Sequence, residues 1–127
     1  MTDISRFKDC IETCWECRTT CLDTLFNYCL EMSGPHAAPD HIKVMLDCIE
    51  TCQLAADVMR RGSEHHGITC RACAEMCEAC ADSCSGMEDD KMQNCARLCN
   101  RCADSCRNMA DMALFQQKEL AEVKGAI

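Results

Sequence analysis

Sixteen cysteines, spaced at alternating intervals of three and four residues, constrain this 127-residue chain more than any other feature. They fall into four runs: Cys10, Cys14, Cys17 and Cys21, with Cys29 further on; Cys48 and Cys52; Cys70, Cys73, Cys77, Cys80 and Cys84; and Cys95, Cys99, Cys102 and Cys106. Intervals of three and four mark one face of a helix turning about 100° per residue. Each run keeps its thiols within an arc of roughly 60–80°, apart from Cys29, which drifts to one side. The stripes continue through other residue types, as in His41, Met45, Cys48, Cys52, Ala55 and Met59, or from Met92 through the last cysteines to Met109 and Ala113. Sixteen exposed thiols would be open to oxidation. Buried cysteine packs as a small hydrophobe. Four such stripes are therefore expected to face one another, and thiols replace the usual aromatic core: Phe7, Trp15, Phe26, Tyr28 and Phe115 are the only aromatic rings of that kind.

Punctuation divides the chain into four helical segments. Ser33-Gly34-Pro35 stops the first, with Gly34 suited to the left-handed position beyond a helix end. Pro39-Asp40 opens the second, since proline is tolerated in a first turn and an acid complements the helix dipole there. Gly62 closes it, Ser63 or Thr69 caps the third, Ser85-Gly86 ends that one, and Glu88-Asp89-Asp90 starts the fourth. The expected helices lie near 4–32, 40–61, 64–84 and 88–123. Short connections make successive helices antiparallel, so the expected fold is all-α: a single domain over 1–127 forming an up-down-up-down four-helix bundle with a cysteine-lined core. Repetition supports this division: Asp-Cys-Ile-Glu-Thr-Cys occurs at 9–14 and 47–52, and Cys-Ala-Asp-Ser-Cys at 80–84 and 102–106.

Seven Cys-x-x-x-Cys pairs (10/14, 17/21, 48/52, 73/77, 80/84, 95/99 and 102/106) account for fourteen thiols, leaving Cys29 and Cys70. Residues four apart on a helix lie about 5–6 Å apart at Cβ, close enough for two sulfurs to reach one ion. Leucine or alanine would pack as well without thiol reactivity, so packing alone does not explain the count. Soft thiolates select copper(I), zinc or iron–sulfur clusters. Four thiolates around zinc carry a net negative charge, and several such sites in one dry core need compensation. No Lys or Arg lies on the stripes. Monovalent copper bridging two thiolates, each thiolate bridging two ions, gives one ion per sulfur and a neutral interior. The charge argument favours copper(I), with a capacity of roughly 12–18 ions per chain set by the soft-ligand count. A zinc-binding thiolate buffer and an iron–sulfur electron carrier are the alternatives, although ferredoxin-type ligands sit on loops that wrap a cluster. A disulfide-linked helical hairpin would use two such pairs, not seven.

The net charge of −8 with no basic block argues against nucleic acid and anionic membranes as partners. No stretch approaches the roughly 20 apolar residues of a membrane span. Met1 to Asp9 lacks the basic start and apolar run of a signal peptide, so a cytoplasmic chain with reduced thiols is expected. No activated nucleophile, Ser-His-Asp set or phosphate loop points to an enzyme.

These runs, as in Cys70-Arg71-Ala72-Cys73-Ala74-Glu75-Met76-Cys77-Glu78-Ala79-Cys80, resemble the bacterial copper storage proteins over roughly residues 4–110. The resemblance implies a four-helix bundle that holds copper(I) on inward thiolates and assembles as a homotetramer; the N-terminus is more like the cytosolic branch. Ala55 departs from the richest pattern, where another inward cysteine would sit.

One end of an antiparallel bundle gathers Met32, His36, His41, Met45, Met87 and Met92 beside Cys29 and Cys84. Thioether and imidazole hold copper(I) more weakly than thiolate, so His41, Met45, Met87 and Met92 are read as additional ligands of an entry port, where a copper-donating or copper-accepting protein would deliver or collect the ion. The other end gathers Phe7, Met59, His65, His66 and Met109, with Leu114 and Phe115 placed to plug it. Met59, Met76 and Met109 read as core filler, and His36, His65 and His66 as solvated. A second stripe on the first helix, Ile11, Trp15, Leu22 and Phe26, is either bundle packing or an oligomer interface; the resemblance favours the interface.

Overall fold

The computed structural model describes residues 4–126 of the backbone and the side chains of 5–123. A short 3-10 turn, Ile4–Phe7, leads into α1, Lys8–Asn27. Two further 3-10 turns, Cys29–Glu31 and Gly34–Ala37, precede α2, Pro39–Arg60. Helices α3, His66–Ser85, and α4, Asp90–Ala126, complete the described chain.

Local chemistry explains most of the boundaries. Pro39 is the first residue of α2, where a missing N–H costs no hydrogen bond. At the other end of α2, Gly62 N–H donates to Met59 O at 2.9 Å and Ser63 N–H to Val58 O at 3.3 Å. That closure needs a left-handed residue between them, and Gly62 has φ +65°. Gly34 likewise has φ +78°. Asp89 caps α4, its Oδ2 accepting the Met92 N–H at 3.3 Å. The expected cap on α3 differs. Ser63 Oγ accepts from His65 N–H at 3.0 Å, a turn ahead of the helix, while Thr69 lies inside the first turn and donates to His66 O.

The first helix is shorter than its pattern implied. It stops at Asn27, and Tyr28 leaves helical geometry at φ −135°, ψ −64°. The Tyr28 hydroxyl donates to Asp89 Oδ2 at 2.8 Å, and His36 Nε2 meets Asp89 Oδ1 at 2.8 Å. Three segments thus share one carboxylate. The break returns Cys29 to the interior, where it is fully buried, although a continuous helix would carry it off the stripe.

Helix directions follow from residue pairings. Cys10 lies against Cys106 and Cys21 against Cys95, so α1 and α4 run oppositely. Arg18 meets Gln53 and Cys29 meets His41; Cys48 meets Cys77 and His41 meets Ser83; Glu78 pairs with Arg107 and Gly67 faces Ala113. Each helix packs on two neighbours, closing a ring around one interior. That interior is made of all sixteen cysteines with Phe7, Leu25, Met45, Met59, Met92 and a set of alanines. Alanines on the flanks let the helices approach closely enough for sulfurs to meet across the axis. At about 1.5 Å per residue, the 37-residue α4 is far longer than its 20- to 22-residue neighbours and overhangs the bundle.

Gly67 marks a close approach of α3 to α4, since a Cβ there would lie 2.7 Å from Ala113 Cβ. A methyl fixed to the α4 backbone has no rotamer with which to yield. Gly67→Val is expected to lower unfolding stability of the metal-free protein by about 1–3 kcal/mol, measured by urea denaturation under reducing conditions.

Candidate metal centre

All sixteen cysteine thiols are free and buried. Along each helix the stripe aims them at the axis, as the spacing predicts. Four of the seven expected pairs bring their own sulfurs to within 3.8–4.0 Å: 17/21, 48/52, 73/77 and 80/84. The shorter approaches cross between helices: Cys14–Cys106 at 3.3 Å, Cys21–Cys95 at 3.4 Å, Cys21–Cys99 at 3.5 Å, and Cys48–Cys77 and Cys52–Cys77 at 3.6 Å. Spacing within one helix does not reveal these partners, because they depend on the register between helices.

Ten of these cysteines form four groups whose sulfurs all lie within 4.8 Å of one another. Cys17, Cys21, Cys48 and Cys99 make one. Cys17 and Cys48 recur with Cys52 and Cys77; Cys52 and Cys77 recur with Cys73 and Cys102; Cys73 and Cys102 recur with Cys14 and Cys106. Each group shares two sulfurs with the next, so the sites form a continuous column. Cys10 and Cys70 extend it at one end, and Cys80, Cys84, Cys95 and Cys29 at the other, all buried.

Proton affinity follows the crowding. Hydrogen bonding with neighbouring sulfurs, Cys17 foremost, pushes Cys21 and Cys99 up, and burial adds to it. Hydrogen bonding to neighbouring sulfurs, Cys102 foremost for Cys17 and Cys21 foremost for Cys95, draws those two down against burial. At the end of the column, burial pushes Cys29 from the ordinary 9.0 to about 11.

The soft donors expected at one end do converge. Cys29 Sγ lies 3.5 Å from Met92 Sδ, 4.0 Å from Met45 Sδ and 3.7 Å from His41 Nε2. His41 is 4 % exposed, and burial lowers its proton affinity. Met87 is half-buried and packs against the core. Met32 is exposed. His36, expected to be solvated, is instead bound to Asp89 and packs edge-on to Tyr28 with ring centroids 5.5 Å apart. Asp89, Tyr28 and Ser83, the hydroxyl 2.7 Å from His41 Nδ1, were not among the expected site residues. Nothing in a metal-ligand pattern singles out a carboxylate, phenol or serine whose partners lie on other helices.

The opposite end gathers Phe7, Met59 and His66 as expected, but not the expected plug. Phe7 is fully buried against His66 with centroids 4.6 Å apart, and His66 Nδ1 meets Ser63 O at 2.9 Å, so His66 is core and not solvated. Met59 is fully buried, as expected of filler. Leu114 and Phe115 point outward and plug nothing, since Ala110 and Ala113 occupy the inward face of α4 there. Met109 is half-buried, and Met76 is exposed, one residue off the α3 stripe. On α1, Ile11 is buried while Trp15 and Phe26 face solvent, with Arg18 over the Trp15 ring.

Comparison with known proteins agrees with this arrangement. A protein from Nitrosospira multiformis of known crystal structure is 40% identical, with a TM-score of 0.80 over 84% of this chain and 95% of its own. The copper(I)-bound copper storage protein 3 of Bacillus subtilis is 36% identical, with a TM-score of 0.76 over 82% of this chain and 97% of its own. A cysteine-rich, uncharacterized curated relative from Bacillus subtilis is 38% identical over 67 residues; that match spans 53% of this chain and 61% of the relative's length. The model of the family described as copper storage protein matches residues 3–111, which includes every cysteine of the column, and the chain belongs to that family.

Proposed function

We propose that the protein stores copper(I) as cargo on its core thiolates and exchanges it through the Cys29–His41–Met45–Met92 end. The supporting observation is the column of four-thiol groups in which successive groups share two sulfurs. Separate zinc sites would each need their own four thiolates, whereas copper(I) accepts two or three sulfurs that bridge adjacent ions. One ion per thiolate also leaves the dry interior neutral, and among the described residues the core contains no Lys or Arg to balance an anionic alternative. Sulfurs 3.3–4.0 Å apart leave no space for the inorganic sulfide of an iron–sulfur cluster between them.

The same geometry bears on location and assembly. Thiols this crowded are prone to oxidation unless kept reduced, which supports a cytoplasmic setting. No helix among the described residues is long and apolar enough to cross a membrane. Trp15 and Phe26, exposed on one side of α1, support assembly into a homotetramer through that face. A copper-donating or copper-accepting protein is the natural visitor at the soft-ligand end. His41, Met45 and Met92 line that end, and Met87 flanks it. Storage involves no turnover, and no residue is assigned a catalytic role.

An anaerobic copper(I) titration of the reduced protein against a competing chelator is expected to reach roughly 12–18 ions per chain; saturation at one or two would end this reading. Because the Cys29 thiol is raised to about 11, it meets copper protonated at neutral pH, and binding must expel the proton. Competition by protons grows as pH falls. Retention against a fixed chelator is therefore expected to weaken from about pH 8 to about pH 6, and by less in Cys29→Ser. His41→Ala and Met45→Leu are expected to slow copper uptake while leaving capacity nearly intact, and unchanged stopped-flow rates in both would remove the port.

A further inference from the structure

The serine-bearing repeat, Cys-Ala-Asp-Ser-Cys, is not explained by its cysteines alone. In its first copy, Cys80 and Cys84 lie on the stripe, and Ser83 falls on the flank of α3 that faces α2. There Ser83 Oγ lies 2.7 Å from His41 Nδ1, shorter than most N–H···O bonds and well formed. The opposite ring nitrogen, Nε2, lies 3.7 Å from Cys29 Sγ, and Cys29 in turn touches the Met45 and Met92 sulfurs. His41 is thus held from behind by a hydroxyl and aimed at a cluster of three sulfurs.

We infer that Ser83 is the positioning residue of the exchange end: its hydroxyl oxygen accepts the Nδ1–H of His41, which leaves the Nε2 lone pair free and pointed at Cys29 for an arriving copper(I) ion. This rests on the reading of that end as the place of exchange. A neutral imidazole has one nitrogen that donates and one that accepts, and the bond at one nitrogen decides the state of the other. Histidines that ligate metals commonly have their second nitrogen held in this way, and loss of the partner typically costs 10–100-fold in affinity or activity. Without Ser83 the ring could turn or place its proton on Nε2, where it would oppose a cation.

The device is specific to this end. The corresponding residue of the second copy, Ser105, follows Cys102 on α4 near Cys10 at the far end, where Phe7 and His66 close the bundle and no histidine nitrogen meets a sulfur among the described residues.

The test uses the full-length reduced protein and the variants Ser83→Ala, Ser83→Thr and His41→Ala. In the metal-free wild type, long-range nitrogen–proton NMR is expected to show His41 protonated on Nδ1 and bare on Nε2. Ser83→Ala is expected to lose that single tautomer and Ser83→Thr, which keeps the hydroxyl, to retain it. Stopped-flow uptake of copper(I) from a chelator complex is expected to slow about tenfold in Ser83→Ala, with ions bound per chain unchanged and Ser83→Thr close to wild type. A wild-type His41 protonated on Nε2, or Ser83→Ala taking up copper at the wild-type rate while His41→Ala is slow, overturns the role of Ser83. If neither His41→Ala nor Ser83→Ala slows uptake, the exchange end itself is wrong and this inference falls with it.

Discussion

Sulfur burial against sulfur governs this molecule. Each helix carries its thiols on one narrow face, and those faces are covered mainly by the thiols of other helices. The metal-free core is held together as any small-residue core is, by exclusion of water from weakly polar groups and by close packing. The same contacts create the chemistry. Once thiols lie within 4.8 Å in overlapping groups of four, ionising them in place is unfavourable unless cations enter with the charge. A core stable as thiols is thus prepared to be stable as a thiolate salt, provided the cation is soft and monovalent.

The two ends of the bundle solve different problems. At the Phe7–His66 end an aromatic ring, an imidazole tied to backbone and the alanines of α4 seal the column. At the other end Cys29, His41, Met45 and Met92 converge beneath a loop tied down by Tyr28 and His36 on one carboxylate. Burial disfavours the Asp89 anion, but hydrogen bonds from His36 and Tyr28 hold it below its usual range, so the tie is formed by a charged acceptor. One end is a stopper made of carbon and aromatic surface, and the other a polar closure above mixed sulfur and imidazole side chains. The overhanging end of α4, whose Phe115, Leu120 and Val123 face outward, contributes to neither closure.

Helix number, the inward face of each helix and the turns at Gly34 and Gly62 were all legible from periodicity and from residues with special backbone freedom. These are local properties, set within a few residues along the chain. So was the choice of a soft cation, because donor softness and the absence of compensating Lys or Arg depend on residue type alone. The roles of His36, His66, Leu114 and Phe115 were not legible. Each depends on whether a neighbouring segment covers the residue, and covering is decided by parts of the chain tens of residues away. Met76 shows the limit of counting: one position off the stripe turns a thioether from core to solvent.

What the amino-acid order determined unaided is which thiols share a face, since 100° per residue leaves a helix no other way to arrange intervals of three and four. What only the tertiary structure decided is which thiols share a site. The closest sulfurs, such as Cys14 with Cys106, sit on different helices, and their meeting depends on register and axial separation. Cys29 unites the two: its place in the sequence puts it off the stripe, and the break at Tyr28, held by Asp89 on another helix, brings it in. Register is a property of packed surfaces, and no single helix carries it.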